Sequence, residues 1–193
     1  MRPSSSARLS FQAGIRRRRR HARLKEKAGA TTSNSPENLQ SRGENMKELS
    51  EKLVRAVQSA EGKLRQVSEP DSNTPVLKGG WSRKQVLGHL IDSASNNHQR
   101  FVRASLQGSL EFPGYDQDGC VRVQAVQSAP WPLLVTLWTN YNLYLAHVIA
   151  HLPADKLTAQ CRIGADESVT LRFLAEDYLT HLLHHLRQIG AAG

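Results

Sequence analysis

Three histidines in this chain have the residue type and spacing for metal chemistry. His89 lies in the run Trp81-Ser-Arg-Lys-Gln-Val-Leu-Gly-His89-Leu-Ile-Asp92. His181 and His185 lie in Asp177-Tyr178-Leu-Thr-His181-Leu-Leu-His184-His185-Leu-Arg-Gln188-Ile189, close to the end of the sequence. Residues four apart on a helix project from the same face, so His181 and His185 can reach one ion. His89, from a facing helix, can add a third imidazole. Three imidazoles leave a coordination position open, which makes a reactive centre rather than a closed structural one. The Glu of a His-Glu-x-x-His helix is missing, so nothing points to a zinc protease.

Spacing alone does not select these three. His147 and His151 are also four apart, and such a pair is commonly a surface feature of a helix. Histidines in the last turns of a helix also interact favourably with its dipole. Stepping about 100° per residue from His181 puts His185 at about 40°, near Leu174 and Tyr178, and Asp177 at about −40°. The pair therefore flanks the apolar face of Leu179, Leu182, Leu183 and Leu186. His184 falls about 80° from the pair's midpoint and is expected to face solvent. On the other helix, Asp92 and Asn96 extend a polar stripe from His89. Each unsatisfied buried polar group costs about 1–3 kcal/mol, so such a stripe needs partners. A metal and its hydrogen-bonded surroundings would supply them; histidines satisfied in the core without metal are the alternative.

The elements that must position these residues are helical. Leu49, Leu53, Val54, Val57, Leu64 and Val67 recur at helical spacing and predict an amphipathic helix from Lys47 to about Val67. Pro70, Asn73, Pro75 and Gly79-Gly80 then break the pattern. Ser82 is a good N-cap for a second helix to about Gln107, with Gly108 past its end. Residues 109–130 hold Pro113, Gly114, Gly119 and Pro130, and read as a long connection with one helical turn. A third helix starts near Trp131-Pro132 and stops at Leu152-Pro153. After a loop in which Cys161-Arg-Ile163 suits a short extended piece, a fourth runs from about Thr170 to Ile189. Four helices of roughly 20 residues bury their faces most naturally as a four-helix bundle. The connection between helices two and three is long enough to cross the bundle, which permits those two to run parallel.

The chain has 193 residues and a formal charge of +9, which would ordinarily suggest nucleic acid or an anionic membrane. The excess is local. Residues 1–45 hold 11 Lys/Arg against 3 Asp/Glu, and residues 46–193 hold 15 against 14. The expected organisation is a disordered basic leader over 1–45 and a folded body over 46–193, with no nucleic-acid partner for the body. Three readings suit the leader: translation truly beginning at Met46, an organelle transit peptide, or a nucleic-acid-binding arm built on Arg16 to Arg20. Cys120 and Cys161 form neither a disulfide framework nor a zinc-finger pattern, which suits a reducing, cytoplasmic setting. No apolar stretch approaches the ~20 residues of a membrane-spanning helix.

The ordered motifs carry a resemblance. Trp81-Ser-x-x-Gln-Val-Leu-Gly-His89-Leu-Ile-Asp92-Ser is followed by Asn96-Asn97-His98-Gln-Arg100-Phe101. Next come Gly114-Tyr115-Asp116-Gln-Asp118 and Trp138-x-x-Tyr141-Asn142, and the series closes with Asp177-Tyr178-x-x-His181-x-x-His184-His185-x-x-Gln188-Ile189. In this order they resemble the DinB/YfiT-like family of small metal-binding four-helix proteins, across nearly all of residues 46–193. The resemblance implies an all-α four-helix bundle in up-down-down-up order. It implies a divalent metal on His89, His181 and His185, nickel or zinc foremost, with iron or manganese also compatible. It also implies a small-molecule substrate and, among characterised relatives, transfer of a low-molecular-weight thiol to an electrophile. The family name reflects DNA-damage induction rather than DNA binding. Metal-dependent hydrolysis and a non-catalytic ligand-binding bundle, possible as a homodimer, are the alternatives. On spacing, Asp92 and Asp177 are candidate acceptors for ligand imidazoles, and Tyr115 and Tyr178 are candidates to position substrate.

Overall fold

The computed structural model describes residues 35–77 and 79–192. Four long helices dominate: α1 (Pro36–Leu64), α3 (Arg83–Gln107), α5 (Trp131–Ala150) and α6 (Leu171–Gln188). Between them lie the short helices α2 (Glu69–Ser72) and α4 (Gln117–Val123), 3-10 turns at Val126–Ser128 and Ala154–Lys156, and strands β1 (Ser109–Phe112), β2 (Gln160–Ile163) and β3 (Val169–Thr170).

The helices form where the apolar period and the caps agree. On α1, Met46, Leu49, Leu53, Val57, Ala60 and Leu64 are buried at three- and four-residue intervals. This helix begins at Pro36, about three turns before the amphipathic pattern does. Pro at the first turn and Glu37 near the positive end of the dipole favour that start, and Gln40 donates to Glu44 at 3.1 Å. The added turns therefore form without the buried stripe on which the sequence expectation rested. The rest of the expected leader, residues 1–34, lies outside the described residues.

Helix α3 opens on a capping box. Gln85 N–H donates to Ser82 Oγ, and Ser82 N–H donates to Gln85 Oε1 at 2.9 Å. It ends at Gly108, whose φ of 74° suits the left-handed C-cap. Helix α6 is capped by Thr170, which accepts from Phe173 N–H.

Pairwise contacts set the helix directions. Trp131 Nε1 donates to Leu64 O at 2.9 Å and Ser50 Oγ donates to Ala146 O at 2.7 Å, so α5 runs antiparallel to α1. His98 Nδ1 lies 3.2 Å from Tyr141 Oη, while near the start of α3 Lys84 donates to Gln127 O just ahead of α5. Helices α3 and α5 thus run parallel. Helix α6 returns antiparallel to α3, since Phe101 meets Tyr178 and His89 meets His185. The order is up-down-down-up. The small sheet agrees with it: β1, directly after α3, pairs in parallel with β2, which follows α5, and β2 pairs antiparallel with β3, which leads into α6.

The long connection is more ordered than its Pro and Gly content suggested, because it supplies β1, α4 and a 3-10 turn. Strand β1 buries Leu110 alone; four residues carry too short an alternation to read. The core centres on Trp138, Phe101, Leu53, Leu87 and Leu182, all at or near zero exposure. Asn142 is fully buried among them. Its amide donates to Trp138 O at 2.8 Å and its Oδ1 accepts from Tyr178 Oη. No helix of the described residues is long and apolar enough to cross a membrane.

Candidate metal centre

The antiparallel crossing of α3 and α6 brings the N-terminal turns of one beside the C-terminal turns of the other. At that crossing His89, fully buried, meets His181 and His185. The Nε2 atoms of His89 and His181 are 3.2 Å apart. Ring centroids are 5.1 Å apart for His89–His181, 4.8 Å for His89–His185 and 4.5 Å for His181–His185. One potential ligand atom from each residue lies within 4.8 Å of the others. Two imidazole nitrogens on one tetrahedral ion at about 2.0–2.1 Å lie roughly 3.3 Å apart, which the closest pair matches.

His185 also suits a divalent ion in its protonation. His185, 9% exposed, has its pKa pushed down to about 4, chiefly by burial, so it is neutral and able to ligate near pH 7. The hydrogen bonds behind two rings decide which nitrogens face inward. His185 Nδ1 lies 2.7 Å from Gln188 Oε1, which leaves Nε2 for the cluster. His181 Nδ1 lies 3.4 Å from Ser93 Oγ while its Nε2 faces His89. Trp81 covers His89 at a centroid distance of 5.2 Å. The residues present fit a metal held by three imidazoles.

The surrounding expectations meet varied outcomes. Asp92 lies one turn after His89 on α3 and is half-buried. Its Oδ1 accepts from Gln124 Nε2 at 2.7 Å, and burial raises its pKa. Tyr115 is half-buried in the connection before α4. Burial pushes its phenol well above the usual range, with the charges of Arg100, Asp92 and Cys120 felt more weakly. Asp177 is half-buried one turn before His181. Tyr178 is enclosed in the core, edge-on to Phe101 at 6.2 Å, with its hydroxyl donating to Asn142. His184 is not simply solvent-facing: it is half-buried, and its Nε2 lies 3.1 Å from Gln188 Nε2.

The rival pair has a different setting. His147 and His151 are exposed, with rings 4.2 Å apart, and His151 Nδ1 turns back to His147 O at 2.7 Å. Among the described residues, His89, His181 and His185 are the group of three able to share an ion.

Sequence reasoning missed Ser93, Gln188, Gln124 and the role of Gly88. A Cβ on Gly88 would sit 2.5 Å from Val126 Cγ1. Only glycine therefore lets the 3-10 turn after α4 close against α3, next to His89 and with Gln124 over Asp92. Gln188 could have been found by spacing, three residues after its partner His185, whereas Ser93 meets His181 across the helix crossing.

Residues 44–189 match the DinB superfamily. The chain belongs to that superfamily. It is 33% identical over 148 residues to the Bacillus subtilis protein named "Putative metal-dependent hydrolase YfiT", a match covering 74% of this chain and 83% of that one. A Bacillus pumilus relative, named "Putative metal-dependent hydrolase", is 26% identical over 140 residues, 72% of this chain and 79% of that one. The solved structure of Bacillus subtilis YfiT, described as having an unusual four-helix bundle topology, matches at a TM-score of 0.50. That match covers 83% of this chain and 93% of the other at 21% identity, and bears on the fold alone. The DinB superfamily member described here thus shares the bundle and carries a three-histidine cluster.

Proposed function

We propose that this protein is a metal-dependent enzyme that transfers a low-molecular-weight thiol to an electrophilic small molecule, with His89, His181 and His185 as the ligands. The supporting observation is the convergence of three imidazoles with no thiolate or carboxylate among them. When bound there, a divalent ion, nickel or zinc first, would supply a Lewis acid that holds a small thiol deprotonated at neutral pH. Neutral imidazoles add no negative charge, so they leave that acidity undiminished. His89 is fully buried with the Trp81 ring 5.2 Å from its own, while His181 is half-buried. In the transfer the sulfur forms a bond to the electrophilic carbon, the leaving group departs with its electron pair, and the thiol proton passes to solvent. Tyr115 is the proposed substrate-side group, and Asp92 and Asp177 are the proposed acceptors behind the ligand imidazoles.

Hydrolysis is the second reading, favoured by the names of the Bacillus relatives; water would then be the nucleophile. A panel of electrophiles assayed with and without bacillithiol, mycothiol or glutathione separates the two. Turnover that requires an added thiol supports transfer, and equal turnover without one replaces it with hydrolysis. A cytoplasmic location and a homodimer complete the proposal, the second checked by sedimentation.

A further inference from the structure

The C-terminal turn of α6 contains an arrangement that the ligand set alone does not require. Gln188 joins two neighbouring histidines through opposite ends of one amide. His185 Nδ1–H donates to Gln188 Oε1 at 2.7 Å, and Gln188 Nε2–H donates to His184 Nε2 at 3.1 Å. The two rings stand nearly perpendicular, with centroids 5.1 Å apart. We propose that Gln188 is a positioning residue of the metal centre, whose amide, anchored on His184, holds His185 in the tautomer with its Nε2 lone pair toward His89 and His181. The inference rests on the three-histidine reading above.

The amide has two ends of different character, so its orientation carries information. With Oε1 on His185, the ring must keep its proton on Nδ1, and Nε2 is a ligand. With the amide reversed, its NH2 would face His185 Nδ1, which would have to accept. The ring proton would then sit on Nε2, pointed into the cluster, where it blocks coordination. In the first orientation His184 Nε2 accepts from the amide, with its own ring proton on Nδ1. His184 thereby acts on the metal centre through Gln188 without touching the ion. A second consequence follows from the neutrality of the amide. A carboxylate behind a ligand imidazole raises its basicity, and removing such outer partners typically costs 10–100-fold in metal affinity. An amide fixes the tautomer while donating less charge.

The test is metal affinity, measured by competition of zinc or nickel with a chromophoric chelator, on full-length protein and variants whose apo-form melting temperature is also recorded. Gln188→Leu is expected to weaken binding about 10–100-fold. Gln188→Glu, which keeps the acceptor, is expected to bind at least as tightly as the parent, and His184→Ala to lose only a few-fold. Because Gln188 is exposed, the apo melting temperature should hardly move. Gln188→Leu binding as tightly as the parent, while His89→Ala abolishes binding, would overturn the inference and leave the metal centre standing. A Gln188→Glu variant as weak as Gln188→Leu would overturn it also. Binding that survives His89→Ala unchanged would instead overturn the three-histidine reading beneath it.

Discussion

Two His-x-x-x-His pairs occur in this chain, and the fold treats them differently. His181 and His185 on α6 face His89 across a helix crossing, with Ser93 and Gln188 behind them. His147 and His151 on α5 have nearly the same mutual distance but lie exposed, and one ring nitrogen is turned onto their own helix. Equal spacing thus yields a candidate centre in one place and a surface pair in the other. What separates them is a third imidazole from a partner helix and a set of acceptors that fix the ring nitrogens.

The largest effects should come from the three converging rings. Replacing His89, His181 or His185 by alanine is expected to abolish stoichiometric metal binding and to lower turnover at least 100-fold, measured by elemental analysis and rate assays. The double variant His147→Ala/His151→Ala should keep the ion. Metal removal sharpens the same contrast. At free metal about 1,000-fold above the dissociation constant, binding adds about 4 kcal/mol to stability. A chelator should therefore lower the melting temperature of the parent and of the His147→Ala/His151→Ala protein, but not that of His89→Ala.

Packing beside the centre comes next. Gly88→Ala would force a Cβ against Val126, at a cost of about 1–3 kcal/mol, and should displace the turn next to His89. Val126→Ala in the same protein should restore much of the loss, read by thermal melts and metal affinity together. Tyr178→Phe should cost a similar ~1–3 kcal/mol by leaving Asn142 Oδ1 without its donor, yet leave metal stoichiometry unchanged. A loss of metal in that variant would tie the core to the site more closely than the contacts do. The smallest effect belongs to Ser93→Ala. At 3.4 Å from His181 Nδ1, Ser93 should be worth only a few-fold in affinity.

Much of this architecture is legible in the sequence, for identifiable reasons. The ends of α3 are written in Ser82, Gln85 and Gly108, whose capping roles are local. The length of the connection between α3 and α5 permits their parallel course without requiring it. The His89–His181–His185 convergence is not local, and spacing alone left His147 and His151 as equals; only the order of motifs chose between the pairs. The extended piece expected at Cys161-Arg-Ile163 is β2, whereas β1 escaped notice because it holds four residues, too few for alternation to speak. Strand β1 is made by pairing with a segment some fifty residues away. Tyr178 falls on the same flank of α6 as His185, yet it packs deeper, because Asn142 on α5 offers its hydroxyl a buried acceptor. A helical wheel shows a residue's direction and not its depth.

The central claim is that one ion is held by imidazoles from both α3 and α6. Isothermal titration of zinc or nickel into metal-free parent, His89→Ala and His147→Ala/His151→Ala proteins tests it most directly. The predicted result is one site per chain in the parent and the surface-pair variant, and none of comparable affinity in His89→Ala. Unchanged stoichiometry and affinity in His89→Ala, or loss of the site in His147→Ala/His151→Ala alone, would contradict it.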